Sequence, residues 1–140
     1  MQVADVDTAR AILTSFRTWA VVGCSPNPGR PSHGVARFLL GAGYRVVPVN
    51  PAMDSCLGQR CFPDLASAAR EAGPIEVVDI FRRSSLAGVH VDEAISIGAR
   101  AVWMQLGVVH EEAAERARGA GLLVVMDRCP AIDHPRLIGA

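Results

Sequence analysis

Apolar positions along the chain recur in two periods, one helical and one of short uninterrupted runs. Within residues 5–17, Ala9, Ile12, Leu13 and Phe16 fall at helical spacing, with Asp7 or Thr8 placed to cap the start. Residues 19–22 are a wholly apolar run closed by Gly23, the pattern of a buried strand. A loop rich in Pro, Gly and Asn follows over 24–31. Ser32 then stands at the expected N-cap of a second helix, whose Val35, Phe38 and Leu39 share one face and which ends near Gly41 and Gly43. Residues 44–49 predict a second strand, stopped by Asn50-Pro51, and a short third strand is expected near 60–62.

The alternation continues through the second half. A helix is expected from about Asp64 to Gly73-Pro74, and a strongly apolar strand over 75–81, ending at Arg82-Arg83. Ser84 or Ser85 can cap a helix running to Gly98. Residues 101–104 form the next strand, followed by Gln105-Leu106-Gly107. The helix over 110–119 has Glu111 and Glu112 in its first turn and Arg116 and Arg118 in its last, signs that offset the helix dipole. A final strand over 122–126 leads into Asp127-Arg128-Cys129-Pro130.

Strands alternating with helices at these intervals imply βαβ units, right-handed crossovers and a mostly parallel sheet. The expected fold class is therefore α/β, a Rossmann-like three-layer domain. No low-complexity linker or internal repeat divides the 140 residues, so a single domain over 1–140 is expected. In such a fold every loop that follows a strand lies at the carboxyl edge of the sheet, where ligands bind.

Composition narrows the partners. The formal net charge is zero, which argues against a broad basic face for nucleic acid. No apolar run is long enough to span a bilayer, and the first ten residues lack the apolar stretch of a signal peptide. The expected location is cytoplasmic, with no membrane association. All fourteen basic residues are Arg, so P-loop, Schiff-base and pyridoxal-phosphate lysine chemistry is excluded. Cys24, Cys56, Cys61 and Cys129 contain no CxxC pair, and no metal site is expected.

The candidate chemistry clusters at the strand ends. In the first loop Gly23 permits a tight turn, Ser25 and Ser32 offer hydroxyls, the following helix offers N–H groups to an anion, and Arg30 can pair with a phosphate. The same residues also fit an ordinary loop with an N-cap serine. The loop is not GxGxxG, and the second strand ends in Asn50 where a dinucleotide site usually has Asp or Glu. Asn50 can still bond a ribose or an amide. Arg82 and Arg83 suit a polyanion, or else solvate a loop or pair with Asp79. Gln105 and Gly107 suit close approach of a ligand chain, or form an incidental turn. Cys129 has an arginine neighbour that can favour the thiolate, although a packed structural thiol is the reading the sequence favours. His33 is the one histidine expected at the crevice. The histidines are dispersed, no Ser-His-Asp set is evident, and no catalytic residue is assigned.

Together these loops resemble the stand-alone CoA-binding domain family and, more distantly, the N-terminal domain of the succinyl-CoA synthetase α subunit. The resemblance is carried by AVVGCSPNPGRPSHGVARFLL at 20–40, GYRVVPVNP at 43–51, VVDIFRR at 77–83, AVWMQLGVVHEEAAERARGAG at 101–121 and VVMDRCP at 124–130. It implies a Rossmann-like fold that holds coenzyme A, a small-molecule nucleotide cofactor, at the carboxyl edge. The implied contacts are Gly23, Ser25, Arg30, Ser32, Asn50, Pro51, Phe81, Arg82, Gln105 and Gly107. The anionic end would meet Arg30 and Arg82, the adenine the apolar residues near Phe81, and the pantetheine Gln105 and Gly107. The synthetase has a basic residue just after its second strand, whereas here Pro51-Ala52 follows Asn50. Its second domain, with the phosphorylated histidine, has no counterpart, so synthetase activity is not implied. The expected function is non-catalytic binding of CoA or acyl-CoA. The alternatives are an NAD(P)-binding oxidoreductase or redox-sensing module, and a thioester enzyme using Cys129, for which no base is found. In the synthetase a cysteine at the position matching Cys129 lies near the CoA site, so a mixed disulfide between Cys129 and the CoA thiol is a further expectation.

Overall fold

The structure, a computed structural model, describes residues 2–139, and side chains from residue 5 onward. Helix α1 (Gln2–Ser15) buries Ala9, Ile12 and Leu13, the stripe its spacing predicts. It begins before Asp5 and ends before Arg17. Asp7 therefore lies inside the helix and pairs with Arg10 at 3.3 Å, rather than capping it. Strand β1 (Thr18–Val22) follows, then α2 (Pro31–Gly41), β2 (Arg45–Val49), a two-residue hairpin of β3 (Ser55–Cys56) and β4 (Gln59–Arg60), and α3 (Leu65–Ala72). Next come β5 (Val77–Ile80), α4 (Ser84–Ser96), β6 (Ala101–Met104), α5 (Glu111–Gly119), β7 (Leu123–Val125) and α6 (Pro130–Leu137).

Five strands form one parallel sheet in the order β2-β1-β5-β6-β7. Side chains alternate between its faces, which gives two cores. Ala20, Val22, Val78, Ile80, Val102 and Met104 pack with α3, α4 and α5. Trp19, Val21, Val77, Trp103 and Val125 pack with α1, α2 and the partly buried Leu137 of α6. The result is the expected three-layer, Rossmann-like domain. The chain leaves β1 towards β2 on one side and later returns to β5 on the other. The carboxyl ends of β1 and β5 therefore form the switch point where an open α/β sheet presents its crevice.

Three local expectations are corrected. The short strand near 60–62 is not part of the main sheet: Ser55 and Cys56 pair antiparallel with Arg60 and Gln59, and only Phe62 bridges to Val49. The two residues between, Leu57 and Gly58, both have positive φ, as a tight hairpin turn requires. Ser32 and Ser84 are not N-caps. Arg30 and Arg83 occupy those positions with no side-chain capping bond, because Pro31 starts α2 and Ser84 is itself the first residue of α4. Helix α6 was not expected, since Pro130 opens it and Pro135 lies within it; Pro130 sits in its first turn, where a missing N–H costs nothing. By contrast, α3 starts where expected: Asp64 caps it, accepting from the Ser67 amide at 2.7 Å, and that bond holds its carboxyl below the usual range. Among the described residues no helix is long and apolar enough to cross a membrane.

Candidate functional site

The loops after β1, β2, β5 and β6 open on one edge and line two adjoining pockets. The first, of about 340 Å³, is bounded by Gly23, Arg30, Asn50, Pro51, Phe81 and Arg82, with Asp64, His90 and Glu93 opposite. The second, of about 400 Å³, is bounded by Pro31, Val35, Gln105, Gly107, Val108 and Cys129, with Arg83 at its margin. Phe81 and Arg82 belong to both, so the two meet at the end of β5. Each volume is in the range of small-molecule sites.

Close packing explains Gly23. Its φ is +86°, and a Cβ there would lie 2.7 Å from the Phe81 carbonyl oxygen. The β1 and β5 loops can thus approach only through a glycine. Gly107 has φ +79° but open space around it, so its need for glycine is conformational rather than steric. The Gly107 amide donates to Asp127 at 2.7 Å, while the Ser84 hydroxyl accepts from the Val109 amide at 2.9 Å. These bonds fix the β6 loop between α4 and the end of β7.

The first loop is satisfied largely by itself. The Ser25 amide donates to the Ser32 hydroxyl at 3.1 Å, the Asn27 amide to the Ser25 hydroxyl at 3.1 Å, and the Gly29 amide to the Asn27 side chain at 2.9 Å. The Arg30 amide donates to the Asn27 carbonyl at 3.0 Å, and Pro31 has no N–H to offer. Ser25 and Ser32 line neither pocket; both build the loop. The cradle of free backbone amides expected there is mostly bonded internally, and the exposed guanidinium of Arg30 is the group left facing the pocket. Asn50 is a builder too. Its side-chain amide donates to the Cys24 carbonyl at 2.8 Å and its oxygen accepts from the Ala52 amide at 2.9 Å.

Gln105 is different. It is buried, and its Oε1 has no hydrogen-bond partner among the described residues, yet it borders the second pocket. An unpaired polar atom in such a place costs about 1–3 kcal/mol until a donor reaches it. Asp79 is the other buried carboxyl-edge residue of this kind. It is fully buried, neither oxygen has a hydrogen-bond partner among the described residues, and burial pushes its carboxyl well above the usual range. The alternative in which Arg82 or Arg83 pairs with Asp79 is not seen among the described residues.

Cys129 lies beside Gln105 and Gly107, as the fold argument requires. Arg128, however, is directed at Asp133, with bonds of 2.6 and 3.1 Å, so its charge is already balanced and does not serve the thiol. His33 lines neither pocket. The histidine at the crevice is His90, which bonds Glu93 at 2.8 Å one turn along α4. Asp64, at the start of α3, and His90 and Glu93, within α4, were missed because reading strand ends finds only the loops. Their i, i+3 spacing in α4 was visible but does not by itself point to a pocket.

A model of the CoA binding domain matches residues 17–135. The chain is 39% identical over 126 residues to YneT of Bacillus subtilis (strain 168), an uncharacterized protein, covering 89% of this chain and 90% of that one. A solved structure of a hypothetical protein from Pyrococcus horikoshii OT3 is 40% identical with a TM-score of 0.88, covering 96% of this chain and 92% of the other. A protein from Thermus thermophilus is 35% identical with a TM-score of 0.85, covering 94% and 98%. A dehydrogenase from Bordetella pertussis solved with NADH and UDP-GlcNAcA is 18% identical with a TM-score of 0.57, covering 79% and 37%, a likeness of fold alone. With the family model spanning nearly all of the sheet and both pockets, the chain belongs to the CoA binding domain family.

Proposed function

We propose that the protein binds coenzyme A or an acyl-CoA across the two pockets and performs no chemistry on it. The observation that carries this reading is their pairing through Phe81 and Arg82: an arginine-flanked pocket adjoins a largely apolar one bordered by Gln105, whose buried Oε1 has no partner among the described residues. A ligand with a polyanionic nucleotide head and a long, largely apolar tail bearing amide N–H groups is complementary to both. Arg30 and Arg82 suit the phosphates, as charge-assisted partners. Asp64 and Glu93 suit the amino group of adenine, a hydrogen-bond donor, and Phe81 offers it an apolar surface. Gln105 Oε1 suits a pantetheine amide.

An NAD(P) ligand is less well served. Asn50 replaces the carboxylate that would hold a ribose diol, and both ends of its amide are already bonded to the loop. A nicotinamide ring would also leave the Gln105 pocket without a chain to fill it. The absence of a base beside Cys129 among the groups lining its pocket supports binding rather than thioester chemistry.

Thermal melting with each ligand tests the reading. CoA at about a hundred times its Kd is expected to stabilise the fold by about 2.7 kcal/mol, with no shift from NAD. A larger shift with NAD would overturn it.

A further inference from the structure

A cluster of three thiols lies beneath the first pocket and plays no part in the ligand contacts above. Cys24 directly follows Gly23 at the end of β1, Cys56 is on the β3–β4 hairpin, and Cys61 follows β4. All three are buried. The Cys24 and Cys56 sulfurs are 2.9 Å apart, joined as donor and acceptor across 32 positions of sequence. Among the described residues no set of His, Cys, Asp and Glu can hold a metal ion, so the cluster is not a metal site.

The geometry points to Cys24 and Cys56 as a modification site, a thiol pair that a peroxide-class oxidant converts to a reversible disulfide tying the β1 loop to the hairpin. A disulfide sulfur–sulfur bond is about 2.05 Å, so the sulfurs need to close by about 0.9 Å. The hairpin is short, with two paired positions, and a small shift of the Cys56 side chain on it supplies that movement. Hydrogen peroxide first oxidises the Cys56 sulfur to a sulfenic acid, releasing one water. The Cys24 sulfur then attacks it; the Cys24 proton and the sulfenic hydroxyl leave as a second water. In sum, two thiols are oxidised, one peroxide is reduced and two waters form. Burial holds the Cys24 thiol protonated, which slows its own oxidation and leaves it to the resolving step.

The link bears on the site because Cys24 is embedded in its wall. The Cys24 carbonyl accepts from Asn50, the Gly23 amide donates to Val49 at 2.9 Å, and Gly23, Val49 and Asn50 all line the first pocket. Closing the 24–56 loop therefore fixes one side of that pocket covalently. Oxidation is expected to raise the melting temperature, and dithiothreitol to reverse the rise.

The test is peptide mapping of the native, full-length protein after hydrogen peroxide treatment, with remaining thiols alkylated in denaturant and no reductant before digestion. Trypsin cuts after Arg60 and so separates Cys56 from Cys61. The expected product is the Cys24 peptide joined to the Cys56 peptide, with the intact mass lower by two hydrogens. The link is lost in Cys56→Ser and kept in Cys61→Ser and Cys129→Ser; should Cys56→Ser fail to fold, the wild-type map alone decides. A link between Cys56 and Cys61, a link through Cys129, or oxygen added to the cysteines without any link overturns the proposal.

Discussion

The loop after β1 and the loop after β6 meet the same crevice in opposite ways. In the first, side chains consume the backbone: Ser25, Ser32, Asn27 and Asn50 accept or donate within the loop and leave Arg30 facing outwards. In the second, the backbone is tied down from outside by Asp127 and Ser84, while Gln105 is left buried with an unpaired oxygen. A loop that satisfies itself is a finished wall, and recognition there falls to the charged side chains that project from it. A loop that keeps an unsatisfied buried group at the border of a pocket leaves a place for a partner to bring the missing donor. The two halves therefore suit the charged and the amide-bearing ends of one ligand.

The comparison breaks most completely at Gly23, which both halves need because it sets the spacing of β1 against Phe81. Gly23→Val combines a positive φ with a 2.7 Å contact to a carbonyl oxygen and is expected to cost about 2–5 kcal/mol of stability. Urea denaturation measures the loss. A midpoint unchanged from wild type would mean that the two loops can part without penalty.

Arg30→Ala and Arg82→Ala test the charged half. Each is expected to weaken CoA binding by about 1.5–3 kcal/mol in calorimetry, with little change in stability. If neither changes the affinity, the phosphates are held elsewhere. Gln105→Met separates the two halves further. Removing an unpaired buried amide is expected to leave the ligand-free fold as stable or more so, yet to weaken CoA by about 1–2 kcal/mol. Loss of stability without loss of affinity would make Gln105 a core residue only.

Asp79 sharpens the contrast, since it is equally unpartnered but borders neither pocket. Its folded-state carboxyl is raised by burial, so the unfolded chain releases the proton first. Its contribution to stability is full below the unfolded value of about 3.9 and falls as pH rises from there towards the folded value. Asp79→Asn is expected to remove that fall, giving a gain of about 1 kcal/mol at pH 8 that shrinks towards pH 4. A gain equal at both pH values would show that the carboxylate charge is not the cause. CoA is not expected to alter this pH dependence, because no ligand contact reaches Asp79.

Much of this was legible in the chain. The strand at 101–104 and the helix at 111–119 match their patterns because period, length and end charges agree. The clustering of Gly23, Arg30, Asn50, Phe81, Arg82, Gln105 and Gly107 follows from parallel topology alone, which brings every strand's carboxyl end to one edge. What could not be read is which groups are already spent. Ser32 looks like a cap and a phosphate ligand, but Pro31 moves the cap to Arg30 and turns the hydroxyl towards the Ser25 amide. Asn50 looks available and is not. Arg128 looks like an activator of Cys129, but α6, hidden by its two prolines, brings Asp133 to it. Hydrogen-bond partners distant in sequence decide availability, and hydrophobic periodicity carries no record of them.

The central claim is that one ligand spans both pockets, and it is tested most directly by titrating the wild-type protein with CoA and with adenosine 3′,5′-bisphosphate, the head without the tail. CoA is expected to bind at least about tenfold more tightly, a difference of about 1.4 kcal/mol, with that advantage reduced in Gln105→Met and kept in Arg82→Ala. Equal affinities for the two ligands in the wild-type protein would contradict the claim, because the β6 pocket would then contribute nothing to binding.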